Sequence, residues 1–295
     1  MSVSGGPSQG EALATWSIWA VVTLSVLVTY SWVDPADTYH VSREGIVGGL
    51  SRAVTLVNFP IGLVAIALTL VAVAALPRAA WWAATPALLL SATIPFFNEQ
   101  SNLDAHWGNA FPALGAAIAL ALTVAAARRA GSGFAPRRPW DTARVALAVL
   151  VLLVSLPWLT ANLGFHFPGD FFMGEELGRE QDGTSIAAVH LGHHHGLDGS
   201  LLLLTALLLS RIEISGTTMR RVTFACMGAM AAYGAVNCVQ DAWNEQLVKR
   251  GWTDHSIPSA ILPAAKPIWL VVIVLAILST LVLLHEDKGA AYSPA

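Results

Sequence analysis

Charge is what this sequence has least of. Asp, Glu, Lys and Arg together make up 12% of its 295 residues, roughly half the share usual in soluble domains. A water-facing surface cannot be built from so few charges, so an ordinary soluble fold is excluded. Basic residues form no run long enough for a nucleic-acid surface, and the formal net charge is only -3. No phosphate-cradling glycine loop, dinucleotide fingerprint or serine nucleophile elbow occurs, which excludes ATP-driven work by this chain alone. Cysteine is nearly absent. Cys226 and Cys238 lie twelve positions apart on one expected helix, about 18 Å at its 1.5 Å rise, so they cannot pair, and neither a disulfide scaffold nor a CxxC metal site is present.

What is there instead is apolar. Hydrophobic residues make up 55% of the chain and the mean hydropathy is +0.60, so the solvent to reason about is lipid. Segments long enough for about 30 Å of hydrocarbon occur at 14–33, 54–76, 80–97, 109–128, 143–163, 188–210, 222–243 and 260–285. The expected fold class is therefore all-α, a polytopic membrane helix bundle of about eight spans. The first run is too long for a signal-peptide core and reads as an uncleaved span.

Arginines orient it. The connections at 128–144 and 211–221 carry Arg128, Arg129, Arg137, Arg138, Arg144, Arg211, Arg220 and Arg221, and Arg78 and Lys288 fall on the same side of an alternating topology. The positive-inside rule makes that side cytoplasmic, with both termini there, in a cell membrane. Arg43, Arg52, Arg179, Lys249 and Arg250 run against it. Most His, Asp and Glu then fall near the four outer connections, 34–53, 98–108, 164–190 and 241–258.

An internal repeat is also legible. Phe97-Asn98-Glu99-Gln100 and Trp243-Asn244-Glu245-Gln246 are each followed by a proline fourteen residues after the Asn, at Pro112 and Pro258, with a constant offset of 146. The reading is two parallel four-helix units, 1–130 and 131–295.

The most informative stretch is His190-Leu191-Gly192-His193-His194-His195-Gly196-Leu197-Asp198. The purely apolar run after it covers only about 14 Å, so a full crossing must reach back to about His190, placing imidazoles inside the outer leaflet. Ionisable groups at that depth are costly unless they face partners inside the bundle. On a helix, His190, His194 and Asp198 recur at i, i+4 and i+8 on one face, a ligand pattern suited to Zn²⁺ or non-haem iron. His193 and His195 are alternative ligands. Haem ligation, and plain satisfaction of polar groups at a wet helix end, are the competing readings.

Glu99 and Glu245 are expected to face this cluster as further ligands or as general acid and base, with Asp241 beside them. The plainer reading is a pair of helix ends whose Asn and Gln satisfy the last carbonyls. Lys266 is expected about 9 Å inside the last span, needing an acid partner or snorkelling to the interface. The loop with Glu175, Glu176 and Arg179 is expected to be a lid or simply a solvated segment.

Three functions follow as expectations. The first is a metal-dependent membrane enzyme, hydrolytic or oxidative, acting at the outer leaflet on a lipid or other hydrophobic substrate. The second is a transporter or channel for a metal ion, proton or small solute, which the Ala, Leu and Val of the inner half-spans disfavour. The third is a non-catalytic, haem-holding subunit of a membrane complex.

Overall fold

In hydrocarbon every backbone N–H and C=O must be satisfied within the protein, and a helix does this within one segment. The apolar runs accordingly become helices. The computed structural model describes residues 8–34, 42–56, 60–93, 104–164, 178–179, 185–186, 189, 195–214, 216–261 and 265–290. The helices are α1 (Gly10–Trp32), α2 (Gly45–Leu56), α3 (Gly62–Ala75), α4 (Trp81–Ser91), α5 (Ala110–Ala130), α6 (Asp141–Asn162), α7 (His195–Leu209), α8 (Thr217–Trp243) and α9 (Pro267–Ala290). The described residues also hold a two-residue antiparallel ladder, Gly178–Arg179 with Ser185–Ile186, two short 3-10 turns at Arg78–Ala80 and Trp107–Asn109, and a π turn at Asn244–Val248. The protein is an all-α membrane helix bundle.

Five stretches are long and apolar enough to cross a membrane: Gly10–Trp32, Trp107–Ala130, Asp141–Asn162, Thr217–Val248 and Pro267–Glu286. That differs from the eight expected. The other three segments form helices of 14, 11 and 15 residues, α3, α4 and α7, which reach only about 21, 17 and 23 Å. Each adjoins residues outside the described set, 57–59, 94–103 and 190–194. A second difference concerns 45–53, read from sequence as part of a connection. It is helix α2, laid against α1 so closely that a Cβ on Gly49 would lie 3.1 Å from the Ser31 nitrogen.

The helix ends converge at two poles. At the arginine pole, Gln9 and Gly10 donate backbone bonds to Gly131 and Gly133. Arg211 reaches Glu11 at 3.7 Å and Asp141 at 3.3 Å. Arg144 meets Asp141 at 3.2 Å, Ser210 at 3.0 Å and Glu286 at 2.5 Å. At the opposite pole Ser42 bonds Asp104, Tyr30 donates to Asn162 at 3.5 Å, and α7 begins.

Between the poles the interior is apolar and dry. Trp19, Leu202, Ala206, Leu209, Phe224 and Met227 are fully buried in one core. Two of its indoles are matched to threonines: Trp19 Nε1 donates to Thr205 Oγ1 at 2.9 Å and Trp16 Nε1 to Thr123 Oγ1 at 3.1 Å. Helices α7 and α8 cross at paired glycines. A Cβ on Gly199 would lie 2.5 Å from the Gly234 carbonyl oxygen, and one on Gly234 equally close to that of Gly199, the small-residue contact through which membrane helices pack without a hydrophobic drive. The outward faces of α1, α6 and α9 expose Val21, Leu24, Val149, Leu153, Ile273 and Ile277, as a lipid-facing surface requires.

Candidate functional site

The chemistry gathers where α6, α7 and α8 meet at the pole away from the arginines. Helix α7 starts at His195, and its first turn is buried through Gly196, Leu197 and Asp198. The N–H groups of a first helical turn have no partner within the helix. Here α8 supplies one from outside: Gly196 N donates to Asp241 Oδ2 at 2.8 Å. Asp241 thereby caps α7 across the helix interface, with a negative charge at the positive end of its dipole. Only glycine fits at 196, because a Cβ would stand 2.5 Å from the Trp158 ring and 2.7 Å from Asp241 Oδ2.

One turn further along α8 the backbone loosens into a π turn, Asn244–Val248, an irregularity frequent at functional positions. Glu245 lies in it, 6% exposed. Its Oε2 accepts the indole N–H of the fully buried Trp158 at 3.0 Å, and its Oε1 faces Lys249 Nζ at 4.0 Å. Asn244 braces the turn, donating to the Ile257 carbonyl and accepting from the Ile257 N–H, both at 2.9 Å. Asp241 at the end of α8 and Glu245 in the π turn after it are therefore both buried beside Trp158, and Asp198 is buried in the first turn of α7.

The expected site residues divide as follows. Asp241 and Glu245 come together around Trp158 and Gly196, while Asp198 is buried in the first turn of α7, whose first residue is His195. His190, His193, His194 and Glu99 lie outside the described residues, as does the segment with Glu175 and Glu176. Lys266 is exposed, immediately before α9. The expectation that it lies inside the last span is corrected: that helix starts at Pro267, one residue after it. Among the described residues no group of three or more His, Cys, Asp and Glu is arranged to hold a metal ion. A metal centre here would need the histidines of 190–194. The first copy of the repeat falls at 94–103, also outside the described residues, so the two NEQ segments cannot be superposed.

No protein-family model, curated protein or solved structure matches this chain.

Sequence reasoning missed Trp158, Tyr233 and Asn237. For Asn237 the signal was present: Asn237, Asp241 and Glu245 recur at i, i+4 and i+8, the spacing that drew attention to His190, His194 and Asp198. Trp158 gives no such sign, since tryptophans are common in any membrane protein.

Proposed function

We propose that this chain is an integral-membrane, metal-dependent enzyme with its site at the pole away from the arginines, acting on a lipid or other hydrophobic substrate by hydrolysis or oxidation. The observation that carries the reading is the burial of Asp241 and Glu245 against Trp158, at the end of the bundle where α7 begins at His195. Carboxylates are brought out of water only at a cost, and the chain's densest run of imidazole, 190–195, leads in sequence directly into that helix. Zinc or non-haem iron held by His190, His194 and Asp198, with His193 and His195 as alternates, would supply activation of a bound water near neutral pH. Glu245, fixed by Trp158 and Lys249, is the group placed to move a proton. Asp241 holds the first turn of α7 in position.

A one-sided site favours an enzyme over a transporter. Trp19, Leu202, Leu209, Phe224 and Met227 fill the bundle beneath the carboxylates, and the arginine pole is closed by ion pairs. Arg78, Arg128, Arg129, Arg138, Arg144 and Arg211 belong to that pole, and the positive-inside rule makes it cytoplasmic, with both termini there. The deciding experiment is elemental analysis with an absorption spectrum on purified protein. Stoichiometric zinc or iron, lost in a folded His194→Ala variant, is the expected result. Metal-free protein, or metal retained in that variant, overturns the reading, and a haem spectrum moves the chain to the class of haem-holding subunits.

A further inference from the structure

Deeper in the bundle than Glu245, about 12 Å along α8 at its 1.5 Å rise, lies a second polar cluster, centred on Asn237 and sharing Asp198 with the site above. Asn237 is 2% exposed and sits in the crossing of α7 and α8, its Cβ 3.1 Å from where a Cβ on Gly199 would stand. Its Nδ2 is committed to the Tyr233 carbonyl at 2.8 Å, which fixes the opposite edge of the amide. That edge, Oδ1, is buried, and no donor among the described residues reaches it. Asp198, next to Gly199 on α7, is 3% exposed and within electrostatic reach of the Tyr233 phenol. The phenol in turn donates to the Ile261 carbonyl at 3.3 Å. Gln240 Oε1, three residues beyond Asn237, is another buried amide oxygen that no described donor reaches.

Leaving a buried amide oxygen without a donor costs about 1–3 kcal/mol, and native interiors rarely tolerate it. The groups here share one chemistry. A carboxylate, an amide oxygen, a phenol and a main-chain carbonyl are all hard oxygen donors, the set that selects alkali and alkaline-earth cations and not the soft or imidazole-loving metals. A single nearby carboxylate matches a single positive charge, and a cation would meet the open Asn237 oxygen. We propose that the crossing of α7 and α8 binds one Na⁺ through Asp198 and the Asn237 amide oxygen, with Tyr233 and the Ile261 carbonyl completing its surroundings. It shares Asp198 with the imidazole site proposed above, but its test reads Na⁺ binding directly and does not depend on that reading.

The test uses the full chain purified in detergent. Stoichiometric binding of ²²Na⁺ is measured directly, and thermal unfolding is followed in NaCl and in N-methylglucamine chloride at equal ionic strength. Wild type is expected to bind one Na⁺, with an unfolding midpoint that rises saturably with Na⁺ as linkage requires. Asp198→Asn and Asn237→Leu are expected to abolish both responses, and Glu213→Gln at the other pole to keep them. If the first two do not fold, Tyr233→Phe is expected to weaken binding several-fold. Absence of ²²Na⁺ binding by wild type, one bound Ca²⁺ in place of Na⁺, or undiminished binding in folded Asn237→Leu overturns the proposal.

Discussion

Trp158 donates its indole N–H to Glu245 Oε2 at 3.0 Å, and through that bond the last turns of one membrane helix fasten the irregular end of another. Trp158 is wholly buried and Glu245 nearly so, so neither group has water to fall back on. A hydrogen bond to a charged acceptor contributes about 1.5–3 kcal/mol. Trp158→Phe keeps most of the ring volume and removes only the donor, so it should lower stability by that amount. Glu245→Gln should cost less, because an amide oxygen still accepts. Thermal unfolding of both single variants and the double variant checks this: the pair is coupled if the double variant loses less than the sum of the singles.

Gly196 supports a sharper expectation. Its added methyl would meet both the Trp158 ring and Asp241 Oδ2 inside 3 Å, and Trp158 is anchored at its far end by Glu245, so it has little room to yield. Gly196→Ala should destabilise by about 3 kcal/mol or more, the upper range for overpacking. Gly133→Ala, where a Cβ would meet nothing within 4 Å, should leave the midpoint of thermal unfolding unchanged. Equal midpoints for the two variants would mean that the first turn of α7 is not held as described.

How far the sequence could be read follows from which forces act locally. The apolar runs announce helices because hydrocarbon leaves the backbone no alternative, and α1, α5, α6, α8 and α9 appear close to where hydropathy puts them. Helix α2 was not legible: its glycines and Arg52 look like a connection, and only packing on α1, with Arg52 over the Tyr30 ring at 5.6 Å, makes them interior. For the site, sequence singled out Asp198, Asp241 and Glu245, all three buried in the bundle, since carboxylates in an apolar chain stand out. It could not show that Asp241 is engaged by Gly196, because that bond joins residues 45 positions apart. Lys266 was misplaced because Ala260 was counted as the start of a helix that begins at Pro267.

Orientation in the membrane is testable without knowing the substrate. Ser132 and Ser256 are exposed at opposite poles. In a background of Cys226→Ser and Cys238→Ser, a membrane-impermeant maleimide should label Ser256→Cys on intact cells and Ser132→Cys only after permeabilisation. The reverse pattern would place the carboxylates in the cytoplasm and contradict the positive-inside assignment.

The arginine pole supplies the last prediction, and it separates two kinds of ion pair. Arg138 and Glu213 meet at 3.5 Å with the Glu213 side chain 67% exposed, so Glu213→Gln should change stability by well under 1 kcal/mol. Arg144 and Glu286 are different. The pair is bidentate, at 2.9 and 2.5 Å, both side chains are about nine-tenths covered, and it joins the start of α6 to the end of α9. Removing one partner of a buried pair leaves an uncompensated charge and costs about 3–5 kcal/mol, whereas replacing both by apolar groups is far milder. Arg144 retains Asp141 at 3.2 Å, so Glu286→Gln should fall at the low end of that range, near 3 kcal/mol. The double variant Arg144→Met, Glu286→Leu should recover most of the loss, because α9 is otherwise held mainly by its packing on α8. Thermal unfolding of the three variants decides it. If Glu286→Gln proves as mild as Glu213→Gln, water reaches the Arg144 and Glu286 pair, and the end of α9 is held by its apolar contacts alone.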